Sequence, residues 1–97
     1  MVTVKVKAFA TVRSLLGSSL EMKLKGNPTV YDLLNEIFRK YGVHIREMMI
    51  NPQTGKLFEY FKILRNGRNI DFLQGLDTPL ENGDEIAIFP PVGGGQN

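Results

Sequence analysis

Cysteine is missing from this chain altogether. Its absence excludes a disulfide framework, cysteine-based zinc or iron–sulfur sites and a thiol nucleophile, so the fold must stand on packing alone. Tryptophan is also missing, and there is one imidazole, His44, set between Val43 and Ile45. No serine, aspartate or cysteine arrangement builds a nucleophilic site around it, so it reads as a surface or partly packed residue. No apolar run approaches the roughly 20 residues that span a bilayer. Met1 leads straight into alternating valines and lysines rather than a basic segment and apolar plug, so neither an export signal nor a membrane partner is expected, and the expected compartment is the cytoplasm.

A large excess of one charge is lacking too. The net charge of +2 is too small to imply nucleic acid as a partner, but it is unevenly spread: residues 1–50 hold eight basic and four acidic side chains, residues 51–97 four and six. This two-sidedness suits the choice of a protein partner.

What is present is a chain of 97 residues, 42% apolar, short enough for a single domain with one core. Residues 2–10 alternate, with Val2, Val4, Val6, Ala8 and Ala10 on one side and Thr3, Lys5, Lys7 and Phe9 on the other, which predicts a half-buried strand. A turn region at Thr11–Ser19 precedes a second alternating run with Leu20, Met22 and Leu24 inward, so the two strands should form a hairpin. After Gly26, Asn27 and Pro28, Thr29 and Asp32 have the spacing of a capping box. The stripe Val30, Leu33, Leu34, Ile37, Phe38, Tyr41 then predicts a helix with one buried face, stopped by Gly42. A short helix over 44–50 is expected to turn Ile45, Met48 and Met49 inward.

Residues 58–65 read as a strand closed by Asn66-Gly67, the pair best suited to a type I′ turn, with Arg68, Asn69 and Ile70 starting the return. The stretch 73–79 reads as irregular, Asn82-Gly83 as a turn, and 85–89 as a last strand ended by Pro90 and Pro91, which cannot donate ladder hydrogen bonds. A domain over 1–91 and a flexible glycine-rich tail over 92–97 are therefore expected. One main helix packed across one mixed sheet of four to five strands is the economical α+β solution.

Few side chains offer chemistry. Glu81, Asp84 and Glu85 are close in sequence, but neighbours on a strand face opposite ways, so a solvated turn is expected rather than an acid–base pair. The run Gly93, Gly94, Gly95 lacks the following helix that a phosphate cradle requires. Phe9 interrupts a polar strand face, and either Tyr60 or Phe61 joins it on the exposed side according to register, which marks an apolar patch for a partner.

The C-terminal string, running from Leu80 through the last strand and Pro90-Pro91 to Gly93, Gly94 and Gly95, is distinctive. With the basic first strand 4–10 and the turn 64–68, it resembles the small subunit of molybdopterin synthase and its sulfur-carrier relatives, a ubiquitin-like β-grasp family, over nearly the whole of 1–95. The resemblance implies a carboxyl at Gly95, preceded by Gly94, that a ubiquitin-activating-type adenylyltransferase activates with ATP and that becomes a thiocarboxylate. It implies insertion of that end into the large synthase subunit, which supplies the pterin site, with no cofactor bound by the small subunit itself. Adenylation turns a poor electrophile into a mixed anhydride with AMP as leaving group.

Glycine suits a narrow channel, because a Cβ at the last positions would meet its walls. Six steps from Phe89 to Gly95 reach ~20 Å into a partner, and ordering them costs on the order of 1–2 kcal/mol per residue. The docking energy must come from the folded domain, and the expected contacts are Phe9, Phe61, Pro91, Val92 and Gly93. Gln96 and Asn97 depart from the family pattern, so a processing peptidase is expected to remove them. Two alternatives stand beside the sulfur carrier: a protein modifier joined to lysines through Gly95, and an interaction module whose tail is inert.

Overall fold

A computed structural model describes residues 1–91; the expected tail over 92–97 lies outside them. Five strands, β1 (Val2–Ala8), β2 (Ser19–Leu24), β3 (Lys62–Arg65), β4 (Arg68–Asn69) and β5 (Glu85–Phe89), form one sheet in the order β2-β1-β5-β3-β4. β1 and β5 run parallel at its centre and the other neighbours are antiparallel. Helices α1 (Ala10–Leu16), α2 (Val30–Tyr41) and α3 (Val43–Met49) complete the α+β architecture, a ubiquitin-like β-grasp.

The alternation of β1 holds: Val4, Val6 and Ala8 enter the core, while Lys5 stays in solvent. α2 lies across the inner face and buries Val30, Leu33, Leu34, Ile37 and Phe38. Its capping box is complete, with the Asp32 amide donating to Thr29 Oγ1 (3.3 Å) and the Thr29 amide to Asp32 Oδ2 (2.9 Å). Gly42, at φ 102°, ends the helix and donates to the Phe38 carbonyl at 2.9 Å. Tyr41, the last residue of the predicted stripe, lies beyond the core and is exposed.

Several expectations are corrected. Thr11–Ser19 is mostly not a turn: Ala10–Leu16 is a helix that buries Val12 and Leu16, four residues apart. Seven residues are too few to hold a helix in isolation, and packing of that pair supplies the stability. Ala10, expected inward on the strand, opens this helix at φ 51° and is exposed.

The strand expected over 58–65 begins only at Lys62. Before it, the Phe61 amide donates to the Phe58 carbonyl (3.1 Å) and the Phe58 amide to that of Met49 (2.8 Å), so these groups serve turns rather than a ladder. Asn66 and Gly67 adopt φ 51° and 85°, as a type I′ turn requires. The return strand stops at Asn69, whose side chain accepts from the Asp71 amide and starts the 3-10 helix Ile70–Phe72. A second 3-10 helix, Gly75–Asp77, lies in the stretch read as irregular.

Candidate functional site at the end of the last strand

β5 is held on both sides, by β1 in the register Val6↔Ile86 and Ala8↔Ile88 and by β3 in the register Ile63↔Ile88 and Lys62↔Phe89. Ile86 and Ile88 are fully buried, so β5 is a fixed member of the sheet that delivers Pro90 and Pro91 to one end of the domain.

Its start is fixed electrostatically. Asp84 is only 6% exposed, which corrects the solvated turn expected there. Its carboxylate accepts from Arg65 Nε (2.7 Å), the Glu81 amide (2.7 Å) and Asn66 Nδ2 (2.9 Å), and its backbone carbonyl from the Lys5 amide (2.9 Å). Burial by itself would raise the Asp84 carboxyl, but the Arg65 guanidinium and the two amide donors outweigh it and hold the group below the usual carboxylate range. This cluster ties the Asn66-Gly67 turn to β5 and is structural.

At the far end, aromatic side chains gather. Phe9 stacks on Phe89, ring centroids 4.4 Å apart and planes 7° from parallel, and remains 37% exposed. The predicted interruption of the polar face is therefore real, and its partner Phe89 follows from parity, since it lies four residues beyond the outward Glu85. At the same end of the domain, a shallow groove of about 480 Å3 is lined by Thr11, Met48, Phe58, Tyr60, Phe61 and Pro91, with Glu47 at its side. Phe58 and Tyr60 stack at 5.0 Å.

Register settles which of Tyr60 and Phe61 faces outward, and against the expected choice. Phe61 shares the inward parity of Ile63 and is 3% exposed, whereas Tyr60 is 50% exposed. Phe61 thus lines the groove from the core, and the surface contact expected of it falls to Tyr60. The outer sheet face carries charges of both signs, with Lys5 and Lys23 exposed, Glu21 exposed opposite Lys5, and Lys7 paired to Glu85 at 3.3 Å.

Phe9, Phe61 and Pro91 are thus gathered at one end of the sheet, while Val92, Gly93, Gly94 and Gly95 lie outside the described residues. His44 is exposed, and no group of three histidine or acidic side chains among the described residues is placed to share a metal ion. No helix among them is long and apolar enough to cross a membrane. Phe58 and Phe89 carry no signal of a site in the sequence, because only the register and the turn at 58–61 bring them to the end of the sheet where Pro91 lies.

The ThiS family profile matches residues 6–95. The chain belongs to the ThiS family. It is 30% identical over 92 residues to small archaeal modifier protein 3 of Haloferax volcanii, covering 94% of this chain and 97% of that one. It is 32% identical over 92 residues to the molybdopterin synthase sulfur carrier subunit of Escherichia coli K12, covering 95% and 99%. The solution structure of small archaeal modifier protein 1 from Methanosarcina acetivorans superposes with a TM-score of 0.77 at 37% identity, covering 96% of each chain. Sulfur carriers and ubiquitin-like small modifiers are therefore both among the relatives of this ThiS-family chain.

Proposed function

We propose that the chain is a sulfur carrier and the small subunit of a molybdopterin synthase, loaded at Gly95. The observation that carries this reading is the run Gly93, Gly94, Gly95, which Val92 alone separates from the double proline that ends a central strand, in a chain similar along 95% of its length to a molybdopterin synthase sulfur carrier subunit. After a peptidase removes Gln96 and Asn97, the Gly95 carboxylate attacks the α-phosphorus of ATP on a ubiquitin-activating-type adenylyltransferase, and pyrophosphate leaves. A sulfur nucleophile then attacks the acyl carbon and AMP leaves, giving the thiocarboxylate that donates sulfur to the pterin precursor in the large subunit. ATP is bound by the activating enzyme and the small subunit holds no cofactor. Phe9, Tyr60 and Pro91, with Val92 and Gly93, form the contact that seats the end in its partner.

Intact-mass analysis of the protein from its native cells tests this. The expected species ends at Gly95 and carries one oxygen replaced by sulfur. A chain made to end at Gly95 that yields neither adenylate nor thiocarboxylate with ATP, the cognate enzyme and a sulfur donor overturns the reading, and a population that only retains Gln96 and Asn97 removes the trimming step. Gly95→Ala should leave the melting temperature unchanged and abolish loading.

A second reading, the protein modifier, is favoured by the likeness to small archaeal modifier protein 3. Lysine-linked conjugates that vanish in Gly95→Ala support it, and thiocarboxylate without conjugates supports the carrier.

A further inference from the structure

β2 is an edge strand: β1 pairs with one side of it, and among the described residues no strand pairs with the other. An open edge is a template for another strand, and proteins usually blunt it with charge or a bulge. Here the charges do something more specific.

The hydrogen-bond parity of the β1–β2 pair decides which groups face outward. The Ala8 amide donates to the Ser18 carbonyl at 3.1 Å, whereas the amides of Thr3 and Lys5 point the other way, to Asn82 Oδ1 and to the Asp84 carbonyl. Even-numbered residues of β1 therefore bond to β2, and in the register Val4↔Met22 their partners Leu20, Met22 and Leu24 bond back. Glu21 and Lys23, the alternate residues, present their backbone N–H and C=O groups to the free edge, and their side chains are exposed on the outer face.

An antiparallel copy of the same strand fits this edge in one register. With Met22 opposite Met22 of a second copy, Glu21 stands opposite the second copy's Lys23, and Lys23 opposite its Glu21. Both pairs are of the type that exchanges two backbone hydrogen bonds, and both join opposite charges on the same face. Sliding by two residues either way sets Glu21 against Glu21, or sets Lys23 against Lys23 and moves Glu21 opposite Lys25, which lies beyond the end of the strand at Leu24. On the inner face, the half-buried Leu20 meets the second copy's Leu24, which extends the apolar layer across the join.

We propose that β2 is a self-association edge, at which two copies of this chain pair antiparallel about a two-fold axis through Met22 and continue their sheets into one. The interface is isologous and closes on itself, so it yields a dimer rather than a fibre. Because β1 separates β2 from β5, pairing leaves the Phe9–Phe89 end open on both copies, and the proposal is independent of the chemistry assigned to Gly95.

Sedimentation equilibrium of the full chain from about 10 µM to ~1 mM tests it, since mass action must raise the dimer fraction with concentration. The wild-type average mass should rise towards twice the monomer. K23E and E21K, each setting like charges against each other, should associate about tenfold more weakly or not at all, with unchanged circular dichroism. The double swap E21K/K23E should restore dimers, and so should an equimolar mixture of the two single variants, whose edges are again complementary. A wild type that stays monomeric throughout, an undiminished dimer in K23E, or a mixture that stays monomeric overturns the proposal.

Discussion

On one side of β5, Ile86 and Ile88 are enclosed by β1, β3 and α2; on the other, Glu85, Ala87 and Phe89 remain half open, with Phe89 stacked on the exposed Phe9. Five consecutive residues thus serve the core at even positions and a half-open outer face at odd ones. The inner face cannot change without loss of the fold, because every atom there already has neighbours. The outer face can change with little effect on folding, and that freedom is what the proposed docking role of Phe9 requires. The same strand couples the two, since a rigid β5 sets where Pro91 leaves the sheet.

This division can be broken most severely from the inside. Ile86→Asp places an unpaired charge in the central strand and should cost several kcal/mol, enough to unfold the domain at room temperature, as circular dichroism would show. A melting temperature near the wild type would mean that the two faces are not so divided.

The Asp84 cluster should give the next largest effect. Asp84→Ala leaves the Arg65 guanidinium and two amides without their acceptor, and should destabilise by about 2 kcal/mol in urea titrations at neutral pH. Because the folded protein holds the Asp84 carboxyl below its usual range, the unfolded chain binds that proton more readily. The stabilisation is therefore complete above the ordinary carboxylate value of about 4 and is lost as pH falls below it. The gap between wild type and D84A should shrink between neutral pH and pH ~3, and a constant gap would show that the ion pair is not its source.

Smaller effects should separate the outer face from the core. Phe9→Ala removes the stack on Phe89 and should cost about 1 kcal/mol of stability. Calorimetric binding to the activating enzyme or large subunit should fall at least about tenfold, as for an aromatic anchor. Equal losses in both would sharpen the comparison the other way, by making Phe9 part of the core. The smallest expected change is Ala10→Gly: relief of the left-handed φ of 51° should raise stability by no more than about 1 kcal/mol, readable as a small rise in melting temperature.

Where the sequence was legible, a local rule governed each element. The capping box of α2 and its stripe as far as Phe38, the Asn66-Gly67 turn, the alternation of β1 as far as Ala8 and the last strand 85–89 each follow a short-range pattern, and each matches the structure. α1 was missed because its two buried side chains only pay off against the sheet. The early start assigned to β3 failed because the amides of Phe58 and Phe61 find partners in turns instead. Asp84 was misread as solvated because its ligands, Arg65 and Asn66, lie nearly twenty residues away.

The sequence by itself determined the inventory: a chain without cysteine, one amphipathic helix, alternating strands, and a glycine run after a double proline that carries the family resemblance. Those are short-range properties, set by periodicity, turn chemistry and composition. Only the tertiary structure decided that Tyr60 rather than Phe61 faces solvent, that Phe9 meets Phe89, and that Glu21 and Lys23 stand on an open edge. These follow from strand order and register, which depend on contacts between residues distant in the chain, and a one-residue shift in register exchanges one face for the other.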